Sequence, residues 1–237
     1  MTNSYLEKEA SRKALARKLN WLRAGVLGAN DGIVSTAGIV MGVAGATTQT
    51  GPVLIAGIAA LVAGSISMAG GEYASVSAQR DSEVAALKRE AEELARDPKG
   101  ELLELADFYR GRGLSESLAI QVAQELSTQN AIKAHAEAEL GISSDEHVSP
   151  GAAAISSFVS FALGSVLPIL AIAGPWQQHR EIATVTAVVL ALALTGFFGA
   201  KIGGAKPTRA VIRNVFVSLL TMGIAYLIGG ALGVAVG

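Results

Sequence analysis

The sequence predicts an all-α, polytopic membrane protein: five membrane-spanning helices, with a charged three-helix domain inserted between the second and the third. Three observations carry this. The chain of 237 residues is 51% hydrophobic and only 16% charged, where a soluble domain of this size carries about 25%. The deficit is segmental: residues 24–79 hold only two Asp, Glu, Lys or Arg residues, Asp31 and Glu72, and residues 148–178, 182–200 and 214–237 hold none. Uncharged runs of about 20 residues match the helix length that crosses roughly 30 Å of hydrocarbon. Finally, the short alternating segments that a membrane β-barrel needs are not present.

In chain order, residues 5–20 read as a basic amphipathic helix, with Leu6, Ala10, Ala14 and Leu15 set among Lys8, Arg12, Lys13, Arg17 and Lys18. Such a helix (domain 1–21) lies on an anionic membrane surface, and its charge and periodicity do not fit a cleaved signal peptide. Spans one and two cover about 22–46 and 53–78, within a domain 22–79. The inserted domain, 80–147, breaks into a helix at 82–96, a turn at Asp97-Pro98-Lys99-Gly100, and a helix at 101–110 ended by Gly111-Arg112-Gly113. A third helix, capped by Ser115, runs to Leu140 with Leu118, Val122, Ala123, Leu126 and Ile132 at helical spacing. Spans three to five, at 151–173, 182–200 and 211–236, complete the domain 148–237. Gly28/Gly32, Gly38/Gly42, Gly199/Gly203 and Gly229/Gly233/Gly237 repeat at four, a spacing that lets helix backbones approach closely, as general tight packing or as a dimer seam.

Dividing the charge orients the chain. Residues 80–147 hold 15 of the 20 acids and 8 of the 19 bases, a net of −7, and the remainder carries +6. Basic residues from Lys8 to Arg23 flank the first span, and Lys201, Lys206, Arg209 and Arg213 fill the link between spans four and five. By the positive-inside rule the N-terminus and the inserted domain are cytoplasmic and the C-terminus is outside. The lean loops and short N-terminus point to a bacterial inner membrane. An acidic domain suits a cationic ligand and excludes nucleic acid as a partner. Without cysteine there are no disulfides or thiolate metal sites.

The chemistry sits in two places. A carboxylate at the bilayer centre costs about 2.5–3.5 kcal/mol on insertion scales, so it persists where function requires it. Asp31 stands eight residues after Arg23 and Glu72 eight before Arg80, so each lies about 12 Å along its helix from the same side. Two anions at one depth repel unless a cation or proton sits between them. The plainer alternative is a buried polar link through Asn30, Ser35, Ser65 and Ser67. Met68 lies one turn from Glu72 on the same face and offers a soft thioether, which favours transition metals over magnesium or calcium.

In the inserted domain, Glu90/Glu93 and Glu101/Glu104 each place two carboxylates on one helix face, and the turn at Pro98 folds those faces together. The third helix adds His135 and Glu139, one turn apart, and Glu137. Glu90, Glu101 and Glu104 have no basic residue at i±4, so a ligand explains them better than a solvated acidic face. Oxygen ligands with an imidazole suit iron(II) and manganese(II). Neither a His-Glu-x-x-His motif nor a phosphate-cradling Gly-x-x-x-x-Gly-Lys loop occurs, and no nucleophile–base pair is visible. The chain therefore does not read as an enzyme, and no organic cofactor is implied.

Gly28-Ala-Asn-Asp-Gly-Ile-Val-Ser35 and Ser67-Met-Ala-Gly-Gly-Glu-Tyr-Ala-Ser-Val-Ser-Ala-Gln-Arg80, with Tyr109-Arg-Gly-Arg-Gly-Leu114 and Glu139-Leu-Gly-Ile142, resemble the vacuolar iron transporter family over nearly the whole length. The resemblance implies a homodimer that exports divalent iron from the cytoplasm in exchange for protons. The family's pathway aspartate and methionine match Asp31 and Met68, and its Glu-x-x-Glu pairs match Glu90, Glu93, Glu101 and Glu104. Its third-helix methionine and glutamate ligands correspond to the stretch holding His135, Glu137 and Glu139. The expected function is proton-coupled export of iron(II), and of manganese(II). The rival is a membrane-anchored metal-binding or sensing module that moves no ion.

Overall fold

The computed structural model describes residues 25–142 and 149–236. Every regular element among them is helical. They are α1 (Gly25–Ala46), α2 (Thr50–Arg96), α3 (Pro98–Gly111), α4 (Glu116–Ala138), α5 (Pro150–Ala173), α6 (Arg180–Ile202) after a 3₁₀ turn at Gln177–His179, and α7 (Pro207–Val236). Helices α1, α2, α5, α6 and α7 are long and apolar enough to cross a membrane. The chain is a multi-pass membrane protein, as its charge-free runs predict. The helix expected at 5–20 and the C-terminal edge of the inserted domain at 143–147 lie outside the described residues.

Three local expectations change. The second span and the first charged helix are not separate: α2 is one helix of 47 residues. Between Ala78 and Ser82 the charge begins, but no glycine or proline breaks the chain, so the onset of charge marks a change of surroundings rather than an end of helix. The turn expected at residues 97–100 is the first turn of α3. Asp97 is its N-cap, with Oδ1 accepting from the Gly100 N–H at 3.0 Å, and Pro98 fills the first position, where a missing N–H costs nothing. The third change is in α4, which is interrupted at Asn130, whose backbone (φ −165°, ψ 97°) is extended. Asn130 Oδ1 accepts from the Lys133 N–H at 2.9 Å and starts the helix again as a cap.

The chain divides into two compact units, Met1–Glu72 with Gly151–Gly237, and Tyr73–Pro150. The first is the membrane unit. Ile33, Ala37, Val40 and Met41 of α1 form its core with Val53, Ile172, Val188, Leu192 and Met222. In α1, 44% of the spanning window is buried, against 11% for α7, which places α1 at the centre. Close approach requires glycine there: a Cβ at Gly164 would strike the Ala29 carbonyl, and one at Gly229 the Gly42 carbonyl. Gly28 and Gly32 against Ser160 and Phe161, and Gly229 and Gly233 against Gly42 and Ala46, likewise seat α5 and α7 against α1 of the same chain. Thr195 Oγ1 of α6 donates to Asn30 Oδ1 at 2.6 Å. Arg180, buried at the start of α6, donates to the Thr47 and Thr48 carbonyls at 2.8 and 3.1 Å and to Glu181 at 2.9 Å. A guanidinium out of water needs such full pairing.

The second unit is acidic. Residues 73–96 of α2 belong to it together with α3 and α4. Leu105 and Ala106 of α3 pack on Ala119, Ala123 and Ala134 of α4, with Leu102, Tyr109 and Leu126 around them. The apolar spacing of α3 (102, 105, 106, 109) is that of one helix face. Gly113, at φ 99°, makes the turn into α4, a conformation for which glycine carries no steric cost.

Candidate metal centre

Small residues let α3 and α4 pack closely, and α2 joins them in bringing polar side chains to one point. Glu90 comes from α2, Glu101 from the first turn of α3, His135 from α4 and Glu139 from its C-cap. The restart at Asn130 sets the last turns of α4, in which His135 and Glu139 share a face. His135 is fully buried, and Glu90 is only 5% exposed.

The imidazole Nδ1 stands 2.9 Å from Glu139 Oε1, 3.0 Å from Glu90 Oε1 and 3.8 Å from Glu101 Oε2. Neither short contact has hydrogen-bond geometry: Nδ1, Nε2, Glu90 Oε1 and Glu139 Oε1 are all buried without a hydrogen-bond partner. Nδ1 and one oxygen each from Glu90 and Glu139 lie within 4.8 Å of one another. Atoms bonded at about 2.1 Å to one octahedral ion stand about 3.0 Å apart when adjacent, so these spacings suit shared ligation of a cation. One nitrogen and several hard oxygens are a donor set for iron(II), manganese(II) or zinc.

The electrostatics point the same way. Burial raises the Glu90 carboxyl above its ordinary value, and the charges of Glu93 and Glu104 add to the rise while His135 partly opposes it. Glu101 is raised by burial, then by Glu90 and Glu104. Glu139 is raised by burial against the pull of His135, with Glu90, Glu104 and Glu101 adding to the rise. Burial and like charge thus disfavour the anionic form of each carboxyl, and a bound cation would favour it.

The remaining candidates of this unit lie at the margin. Glu93 and Glu104 are exposed and act on the cluster through their charge. Glu137 is exposed too, and its Oε1 stands 3.8 Å from Lys133 Nζ. Two residues from His135 is the wrong helix face, so the carboxylate beside the imidazole is Glu139. Sequence reasoning missed Asn130, although a polar Ser127-Thr128-Gln129-Asn130 run inside an otherwise apolar-spaced helix was the available sign.

Within the membrane unit, Asp31 Oδ1 accepts from Ser35 Oγ at 2.9 Å, one turn along α1. Asp31 is exposed on the surface of the single chain, and Glu72 is half-buried. Met68 brings its thioether to α1: a Cβ at Gly28 would lie 3.5 Å from Met68 Cε, one turn before Asp31.

Comparison with known proteins adds an independent finding. The sequence profile of the VIT family matches residues 22–230. The chain is 42% identical over 212 residues to the vacuolar iron transporter of Acanthamoeba castellanii, covering 88% of this chain and 77% of that one. It is 31% identical over 226 residues to vacuolar iron transporter homolog 2 of Arabidopsis thaliana, covering 95% and 91%. With vacuolar iron transporter homolog 5 of Oryza sativa subsp. japonica it shares 35% over 213 residues, covering 90% and 80%.

Proposed function

The chain belongs to the VIT family, and on that premise we propose that it exports divalent iron, and manganese(II), from the cytoplasm in exchange for protons. The observation that carries the reading is the Glu90–His135–Glu139 cluster, with three donor atoms close together and, among the described residues, no Lys or Arg ion-paired with it. In this reading the acidic unit faces the cytoplasm and captures the ion, with Glu93, Glu101 and Glu104 drawing it in. Asp31, Met68 and Glu72 then carry it across the bilayer. Proton and metal compete for the same lone pairs, so protonation of Asp31 and Glu72 from the far side releases the ion.

A homodimer completes the pathway. Asp31 lies on a membrane-spanning helix yet is exposed on the single chain, and lipid is a poor neighbour for a carboxylate. A second copy set against this face of α1 removes it from lipid. The basic link between α6 and α7 supports a cytoplasmic side for that end of the bundle, and the lean loops support a bacterial inner membrane as the host.

Flux of iron(II) into proteoliposomes carrying the full chain, with and without a pH gradient, tests the proposal. Asp31→Ala is expected to abolish flux, and dissipating the proton gradient to stop it. If Asp31→Ala and Glu72→Ala both carry iron(II) at the parent rate, the mechanism is wrong. A second reading has an observation in its favour: the cluster around His135 lies wholly within the acidic unit, so it needs nothing from the spans in order to bind. A metal-binding or sensing module predicts saturable binding and no flux in the same vesicles.

A further inference from the structure

Arg213, on α7, has no place in the pathway above and no ion-pair partner among the described residues. Residues 182–237 hold four bases, Lys201, Lys206, Arg209 and Arg213, and not one acid. Arg213 also lines a cavity of about 470 Å³ between α1, α6 and α7. The rest of that wall is mostly apolar: Val26 and Leu27 of α1, Gly199 and Ile202 of α6, and Gly203 just beyond it. Leu27 and Ile202 are 64% and 44% exposed. At Gly203 a Cβ would meet only its own helix's carbonyls, so this stretch of the groove is open.

Asn30 Oδ1 is occupied by the Thr195 hydroxyl at 2.6 Å, which leaves the Asn30 amide N–H groups as donors in the cavity that Arg213 also lines. A ligand that fits has acceptors and a negative charge at one end and a hydrocarbon body at the other. A basic pocket between spans, at the level where the helices leave the bilayer, meets such molecules in the surrounding leaflet.

We propose that this groove holds one anionic phospholipid, its phosphate on Arg213 and an acyl chain along Val26 and Ile202 over Gly203. A bidentate guanidinium–phosphate pair fixes the headgroup. The shallow floor left by Gly203 gives the chain its track. Arg213, Val26 and Ile202 take no part in the transport reading, and Leu27, one turn before Asp31 on α1, is left to the face that a second copy covers in that reading.

The full chain in nanodiscs of phosphatidylcholine with a minor share of phosphatidylglycerol, then released into native mass spectrometry, tests this. The parent is expected to retain one phosphatidylglycerol per chain in preference to phosphatidylcholine. Arg213→Gln lowers that retention roughly fivefold, the effect of about one basic residue at an anionic surface. Gly203→Leu, which fills the groove without changing charge, lowers it as well, with circular dichroism showing the helices intact. Lys206→Gln, outside the groove, leaves it near the parent. Equal retention of both lipids, an unchanged Arg213→Gln or Gly203→Leu variant, or an equal loss in Lys206→Gln each overturns the proposal. So does displacement of the lipid by inorganic phosphate alone, because the hydrocarbon groove would then have no role.

Discussion

In the acidic unit three carboxylates surround one buried imidazole, and every group of the cluster comes from a single chain. In the membrane unit Asp31 has, among the described residues, the Ser35 hydroxyl as its partner, and its carboxylate is exposed at the surface of that chain. The contrast concerns what each unit can do alone. A cluster held by three packed helices is organised before an ion arrives, and its ordering cost is met in folding. An exposed aspartate on a lipid-spanning helix is unfinished until something covers it. On our proposal, capture is a property of one chain and crossing is a property of two.

Removing ligands from the acidic unit puts the largest strain on this contrast. His135→Ala and Glu90→Gln should each weaken iron(II) or manganese(II) binding roughly 100-fold, at the upper end of what even outer-shell changes cost at metal sites. Glu137→Gln, whose carboxylate faces Lys133, should leave the affinity within about twofold of the parent, as surface pairs are worth little. Isothermal titration of the full chain in detergent measures all three. Asp31→Ala should bind normally in the same titration while failing to transport. If Asp31→Ala loses binding to the same degree as Glu90→Gln, the two units do not divide the work as described.

How much of this was legible in the sequence follows from the range of the forces involved. The five spans were visible because a charge-free run reports its surroundings residue by residue. Asp31 and Glu72 stood out for the same reason. The continuity of α2 was hidden because a jump in charge resembles a boundary, although the helix needs only the absence of a breaker at residues 78–82. The pairing of Glu90 with His135 depends on how three helices pack, and no local spacing encodes it. The choice of Glu139 over Glu137 was within reach, since four residues share a helix face and two do not.

A smaller effect comes from pH, and its sign distinguishes the units. Glu90, Glu101 and Glu139 are raised above the ordinary value of 4.5 by burial, so between that value and the raised ones the folded unit holds more protons than the unfolded chain. Stability then falls as pH rises through the raised values and recovers as pH falls towards 4.5. Without metal, amide protection over α3 and α4 should therefore be greater in mild acid than at neutral pH. Adding manganese(II) at neutral pH should restore it, the cation standing where protons stood. Protection that declines in mild acid without metal would mean that the carboxylates are stabilised as anions, and the cluster would not need a cation.

The smallest effect tests what holds the cluster in register. Asn130 caps the second segment of α4 through the Lys133 N–H, and caps of this kind contribute about 1 kcal/mol. Asn130→Ala should lower the stability of the acidic unit by about that amount. If the restart of the helix sets the direction of His135, the variant should also lose metal affinity, by roughly fivefold for about 1 kcal/mol. Asn130→Asp keeps a capping oxygen and should retain both properties, which separates loss of the cap from loss of an asparagine as such. Stability reduced with affinity unchanged would show that the packing of Ala134 and Ala136, both buried beside His135, positions the imidazole without help from the break. In that case the preorganisation of the acidic unit resides in its small-residue core, and substitutions that enlarge Ala134 become the sharper probe.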